Sequence, residues 1–144
     1  MLLICRYLWP MPWTLLGLLA AGCVRALGGC WQCREGAIEA HGGRVAALCG
    51  RLPASMRFDA ITIGHVILGK NAATLAAVRA HEQVHLRQYE RWGPFFVPAY
   101  LAASAWLWLR GRRPYRDNPF EKQACACVLM AVQPAICEAN TKVE

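Results

Sequence analysis

At 144 residues the chain has the length of one compact domain, with room for a membrane appendage. It is 56% hydrophobic and only 17% charged, rich in apolar residues for a soluble protein of this size. The net charge of +7 is unevenly placed, with Arg110, Arg112, Arg113 and Arg116 directly after an apolar run. Such a cluster reads as a membrane-surface flank, and without interleaved aromatics or a known binding module it argues against a nucleic-acid partner.

Residues 1–29 form the first segment. Between Arg6 and Arg25 lie 18 residues without a charge, close to the ~20 that span a bilayer. With no polar face to the pattern, the segment is expected to be an N-terminal apolar helix, a membrane anchor or signal segment, starting near Trp13 after Pro10 and Pro12. Residues 30–144 then form the second domain. Cys30-Trp31-Gln32-Cys33 and Cys125-Ala126-Cys127 lack the paired spacing of a zinc ribbon, so these thiols read as small apolar residues. Ala37–Ala40 and Arg44–Leu48, flanking His41-Gly42-Gly43, predict a hairpin, and Pro53 and Ser55 mark a loop. The β-branched run Phe58–Leu68 predicts one strand of about eight residues. Its edge is suited to an extended peptide, with Ile63 and His65 as substrate-edge candidates.

Asn71 is the expected N-cap of a helix running from Ala72 to about Trp92 and stopped by Gly93-Pro94. Within it, His81-Glu82-Gln83-Val84-His85 is the motif that organises the chain. Histidines four apart leave one face of a helix, where two imidazoles can hold Zn²⁺ and Glu82 can act as general base on a water. Residues 94–109 are a second apolar run, 16 residues without a charge. That is short for a span, which leaves a core, interfacial or re-entrant element. Asn118-Pro119-Phe120-Glu121 opens a last helix that continues to about Pro134.

A catalytic zinc site takes three protein ligands and leaves one position open. The candidates for the third are His41, His65, Glu90, Asp117, Glu121 and Glu138. Arg91 stands six after His85, which excludes the three-histidine extension. Glu90 is turned away from the histidine face. Glu121 is favoured, because Ala124 three residues later makes room for a second helix, although Asn-Pro-x-Glu is also an N-terminal capping pattern. If Glu121 and the histidines share an ion, residues 94–109 cannot cross a bilayer once.

The order of a strand, HEQVHLRQYERWGP, an apolar run and YRDNPFEKQA resembles small bacterial zincin-like proteins of the HExxH-plus-Glu, gluzincin-type metallopeptidases, over about residues 58–130. The resemblance implies an α+β fold: a small antiparallel sheet, an HExxH helix and a second ligand-bearing helix. It matches His81 and His85 to the zinc ligands, Glu82 to the base and Glu121 to the third ligand. Tyr89, Tyr100 and Tyr115 are candidates to stabilise an oxyanion. The expected function is a membrane-associated zinc metallopeptidase, with a peptide or protein substrate hydrolysed by a zinc-activated water. The alternative is a non-catalytic zinc-binding or structural membrane protein. An intramembrane protease is disfavoured, because Asn118-Pro119 follows the arginine cluster instead of lying within an apolar segment.

Overall fold

The computed structural model describes residues 3–44, 47 and 59–140. Packing divides the chain into two compact units, Met1–Phe96 and Val97–Glu144. The first contains α1 (Leu3–Leu8), α2 (Met11–Ala26), β1 (Gly29–Arg34), β2 (Ala37–Gly42), β3 (Ala60–Ile63), β4 (Val66–Gly69) and α3 (Ala72–Trp92). A 3₁₀ turn at Gly93–Phe95 follows. The second unit holds α4 (Phe96–Leu109), whose first residue closes the first unit, and α5 (Pro119–Asn140).

The architecture is α+β, but the sheet is mixed and not antiparallel as expected. Its order is β1-β2-β4-β3: β1/β2 and β3/β4 are antiparallel pairs, and β2 runs parallel to β4. Parallel neighbours need a connection of about a dozen residues or more, which the long stretch between Gly42 and Val66 supplies.

The expected hairpin is displaced by one strand. Its turn is Glu35-Gly36, both with positive φ (51° and 79°), so the CxxC segment is β1 and Ala37–Gly42 is its partner. A left-handed pair of this kind suits the twist of a two-residue hairpin, and Gly36 takes it without a Cβ penalty. Cys30 and Cys33 lie three apart on an extended strand, which puts them on opposite faces and about 10 Å apart. That is too far for a disulfide or a shared ion. The expected second arm, Arg44–Leu48, falls mostly outside the described residues, as does the loop at Pro53 and Ser55. The single strand expected over Phe58–Leu68 is instead the hairpin β3/β4, turned at Gly64-His65. Both arms are β-branched, so composition does not mark the turn.

Each face of the sheet carries a helix in this unit. Ala21 and Val24 of α2 pack with Ala40 and Val66, while Leu75 and Leu86 of α3 pack with Ala37 and Ile67. The alternation along β2 and β4 is the period-two pattern of strands covered on both sides. Gly17 lets α2 approach closely: a Cβ there would lie 2.5 Å from the Ile63 carbonyl oxygen. The expected N-terminal apolar helix is therefore corrected. The chain breaks at Trp9-Pro10, and α2, only 16 residues long, forms one layer of the first unit. Among the described residues no helix is long and apolar enough to cross a membrane.

Glu39 of β2 is a charged residue inside this core. Its side chain is fully buried, taking hydrogen bonds from Arg79 Nε (2.6 Å to Oε1), Arg79 Nη2 (3.0 Å to Oε2) and Gln32 Nε2 (2.8 Å to Oε2). This clamp ties the sheet to α3 two residues before His81. The Arg79 guanidinium, through its hydrogen bonds, holds the Glu39 carboxyl below the usual carboxylate range.

Candidate metal centre

Helix α3 forms where expected. Asn71 Oδ1 accepts from Thr74 N at 2.8 Å, capping the first turn, and Gly93 at φ 57° ends the helix. The long helix gives His81 and His85 a common face. Their Nε2 atoms are 3.1 Å apart and the rings meet edge to face, with centroids 4.8 Å apart. Two ligands of a tetrahedral zinc at about 2.0–2.1 Å lie about 3.3–3.4 Å from one another, so the observed separation fits one shared ion.

His85 is oriented by a residue the sequence reading missed. Gln88 Oε1 lies 2.8 Å from His85 Nδ1, and both side chains are buried. An amide oxygen only accepts, so the imidazole proton sits on Nδ1 and the Nε2 lone pair points toward His81. Metal-binding histidines are commonly fixed this way through the second ring nitrogen. The available signal was the i, i+3 spacing from His85 to Gln88 on an apolar helix face.

Glu82 turns to the sheet. It is 6% exposed, and its Oε2 accepts from the Thr62 hydroxyl of β3 at 2.7 Å. Thr62 also reaches the Glu82 carbonyl oxygen at 3.3 Å. Thr62, like Gln88, was absent from the sequence-derived site.

Strand β3 lies at one edge of the sheet among the described residues. A two-residue hairpin that pairs Ile63 with Val66 makes alternate residues face outward. The ladder bond from Lys70 N to Asp59 O at 3.2 Å fixes the same phase. The outward backbone groups are thus those of Ala60 and Thr62. Ile63 pairs inward with Val66. His65 is 5% exposed in the turn, with Nδ1 3.3 Å from Thr14 Oγ1, Nε2 3.4 Å from Glu90 Oε1 and its ring against Tyr7. It is held in the interior and not presented along the edge. Burial pushes its imidazole below the ordinary range, against the opposing pull of Glu90.

The other expected candidates are placed as follows. Glu90 pairs with Arg6 and approaches His65, away from the histidine pair as expected. Asp117 pairs with Lys122 and Arg112. His41 is a half-buried residue of β2 opposite Cys30. The side chain of Glu138 is outside the described residues. Tyr89 is buried; desolvation pushes its phenol up to about 12, opposed by a hydrogen bond to the Gly64 backbone.

In the second unit, Asn118 is completely buried and its Oδ1 caps α5 at Phe120 N (3.0 Å). Its Nδ2 donates to Tyr100 O (3.1 Å) and Ser104 Oγ (2.8 Å) of α4. Glu121 follows in the first turn, 5% exposed, and its Oε1 accepts from the Tyr100 hydroxyl at 2.8 Å. The carboxylate is thus held by Tyr100 of α4. Ala124 is fully buried, and Tyr115 is exposed.

No family model matches this chain, and no curated protein or solved structure matches it.

Proposed function

We propose that this protein is a zinc-dependent peptide hydrolase. The observation that carries the reading is the His81–His85 pair, with its two Nε2 atoms 3.1 Å apart and the proton of His85 held on Nδ1 by Gln88. Glu121 is the proposed third ligand. Two imidazole nitrogens with one carboxylate oxygen make a donor set that could hold a metal ion. Two imidazoles with one carboxylate suit zinc and also other divalent ions such as Fe(II); zinc is the ion that the resemblance to HExxH-plus-Glu proteins implies. A zinc ion held there would supply Lewis acidity and would make a water more acidic.

The chain's own residues supply the rest. Thr62 holds one oxygen of Glu82, fixing the carboxylate rotamer and leaving Oε1 to accept a proton from the attacking water. The same oxygen returns that proton to the leaving amine. The outward N–H and C=O groups of Ala60 and Thr62 suit an extended peptide added alongside β3, next to Glu82.

The test compares the native chain with Glu82→Gln and Glu121→Ala. On this reading the purified native chain carries one zinc, and Glu82→Gln keeps the zinc but loses cleavage of a fluorogenic peptide library by at least about 100-fold. Glu121→Ala loses zinc affinity. A native chain that takes up no zinc in stoichiometric amount sinks the proposal.

A second reading rests on the Thr62–Glu82 bond itself. A buried Glu82 fastened to β3 is also a structural tie between helix and sheet, which suits a non-catalytic zinc-binding protein. Glutamine retains that tie, so under this reading Glu82→Gln changes nothing that can be measured.

A further inference from the structure

Helix α4 has its polarity reversed. Its inward side carries Tyr100, Ala103, Ser104 and the buried Leu107, with Tyr100 and Ser104 hydrogen-bonded to Asn118, Glu121 and the Pro114 carbonyl. Its outward side is apolar: Leu101 is 58% exposed, Trp106 56%, Trp108 69% and Leu109 72%. A water-facing helix puts its polar residues outside, and this one puts them inside. No residue of α4 is charged. At 14 residues it is about 21 Å long, short of the ~30 Å hydrocarbon core of a bilayer.

Directly after it comes the exposed loop with Arg110, Arg112, Arg113 and Arg116. Arg110 stacks on Trp106 at 4.3 Å, and Arg112 lies 3.7 Å from Asp117. Exposed tryptophans at the end of an apolar helix, followed by arginines, have the composition of a membrane–water boundary. The first unit shows the same inversion on its own. Thr14 of α2 faces in, while Leu15, Leu16 and Leu19 are exposed.

We propose that the outward face of α4 and the adjoining arginine loop form a docking surface for an anionic phospholipid bilayer, with α4 lying in the interface and not crossing it. The charge of the loop selects the occupant: a second copy of this chain would bring the same arginines together, whereas an anionic headgroup layer neutralises them. This inference stands independently of the metal reading.

The experiment is flotation of the purified full chain with vesicles of phosphatidylcholine alone and of phosphatidylcholine with phosphatidylglycerol at 3:1. Zinc content and circular dichroism are recorded for every variant. The expected result is binding to the anionic vesicles that weakens with added salt. Arg113→Gln with Arg116→Gln lowers the partition coefficient by about 30-fold, at about fivefold per arginine. Trp106→Ser with Trp108→Ser lowers it by at least about tenfold, with fold and zinc content unchanged. Equal binding to both vesicle types overturns the proposal, as does a chain that stays in solution. A defined oligomer that dissociates in the Trp106→Ser/Trp108→Ser variant also overturns it, because the face then belongs to a second copy.

Discussion

Glu39→Ala is the change that most directly tests how the histidine helix is held. It removes a fully buried carboxylate and leaves Arg79, whose side chain is 16% exposed, without its bidentate partner. Breaking a buried ion pair costs about 3–5 kcal/mol. The lower end applies here, since Arg79 retains some access to water and Gln32 is itself exposed. With a urea m-value of about 1.5 kcal/mol/M, a loss of about 3 kcal/mol moves the unfolding midpoint down by about 2 M. Replacing both residues, Glu39→Met with Arg79→Met, removes the charge together with its partner. That double variant is expected within about 1 kcal/mol of the native chain, or above it. The pH dependence carries a sign. The Glu39 carboxyl is depressed in the folded chain by its Arg79 hydrogen bonds. Its contribution is therefore full above the unfolded glutamate value of about 4.3 and is lost as the pH falls through the lower folded value. Urea titrations followed by tryptophan fluorescence and circular dichroism measure Glu39→Ala, the double variant and its two single variants, Glu39→Met and Arg79→Met. A Glu39→Ala cost below about 1 kcal/mol, or a double variant as costly as the sum of the singles, refutes the clamp.

Three further predictions follow from named contacts. Under the proposed zinc reading, Gln88→Leu frees the His85 ring and lowers zinc affinity by about 10–100-fold, read by competition with a chromogenic chelator, with helix content unchanged. Asn71→Ala removes the cap on Thr74 N and costs about 1 kcal/mol in urea unfolding. His65 has a folded pKa below its unfolded value of about 6.5, burial being the main cause, so the unfolded chain takes the proton first. Its contribution is full above about pH 6.5 and falls away below it, and His65→Gln should flatten the urea midpoint below about pH 6.5.

Where signals were local, the sequence carried the structure. The Asn71 cap, a run of good helix formers and the Gly93-Pro94 stop defined α3 nearly to the residue, and the four-residue spacing put His81 and His85 on one face. Asn118-Pro119 marked the start of α5 in the same way. Turns were less legible. Gly42-Gly43 drew the expected hairpin away from Glu35-Gly36, because a glutamate at positive φ has no signature in composition. The Gly64-His65 turn was hidden inside a β-branched run.

What only the tertiary structure decided depends on partners far apart in sequence. The parallel pairing of β2 with β4 joins strands separated by a long connection, and neither strand encodes its neighbour. Glu39 reads as an ordinary strand residue until Arg79, 40 positions away, is seen across from it. Thr62 acquires meaning only against Glu82, 20 positions on, and Gln88 only once His85 is known to face inward. Helix α2 read as an apolar helix without a polar face; Gly17, Ala21 and Val24 make one side of it the cover of a sheet. Helical periodicity and capping are written within a turn or two of chain. The burial of a carboxylate, or the side of a helix left to solvent, depends on which distant residues fill the space beside it.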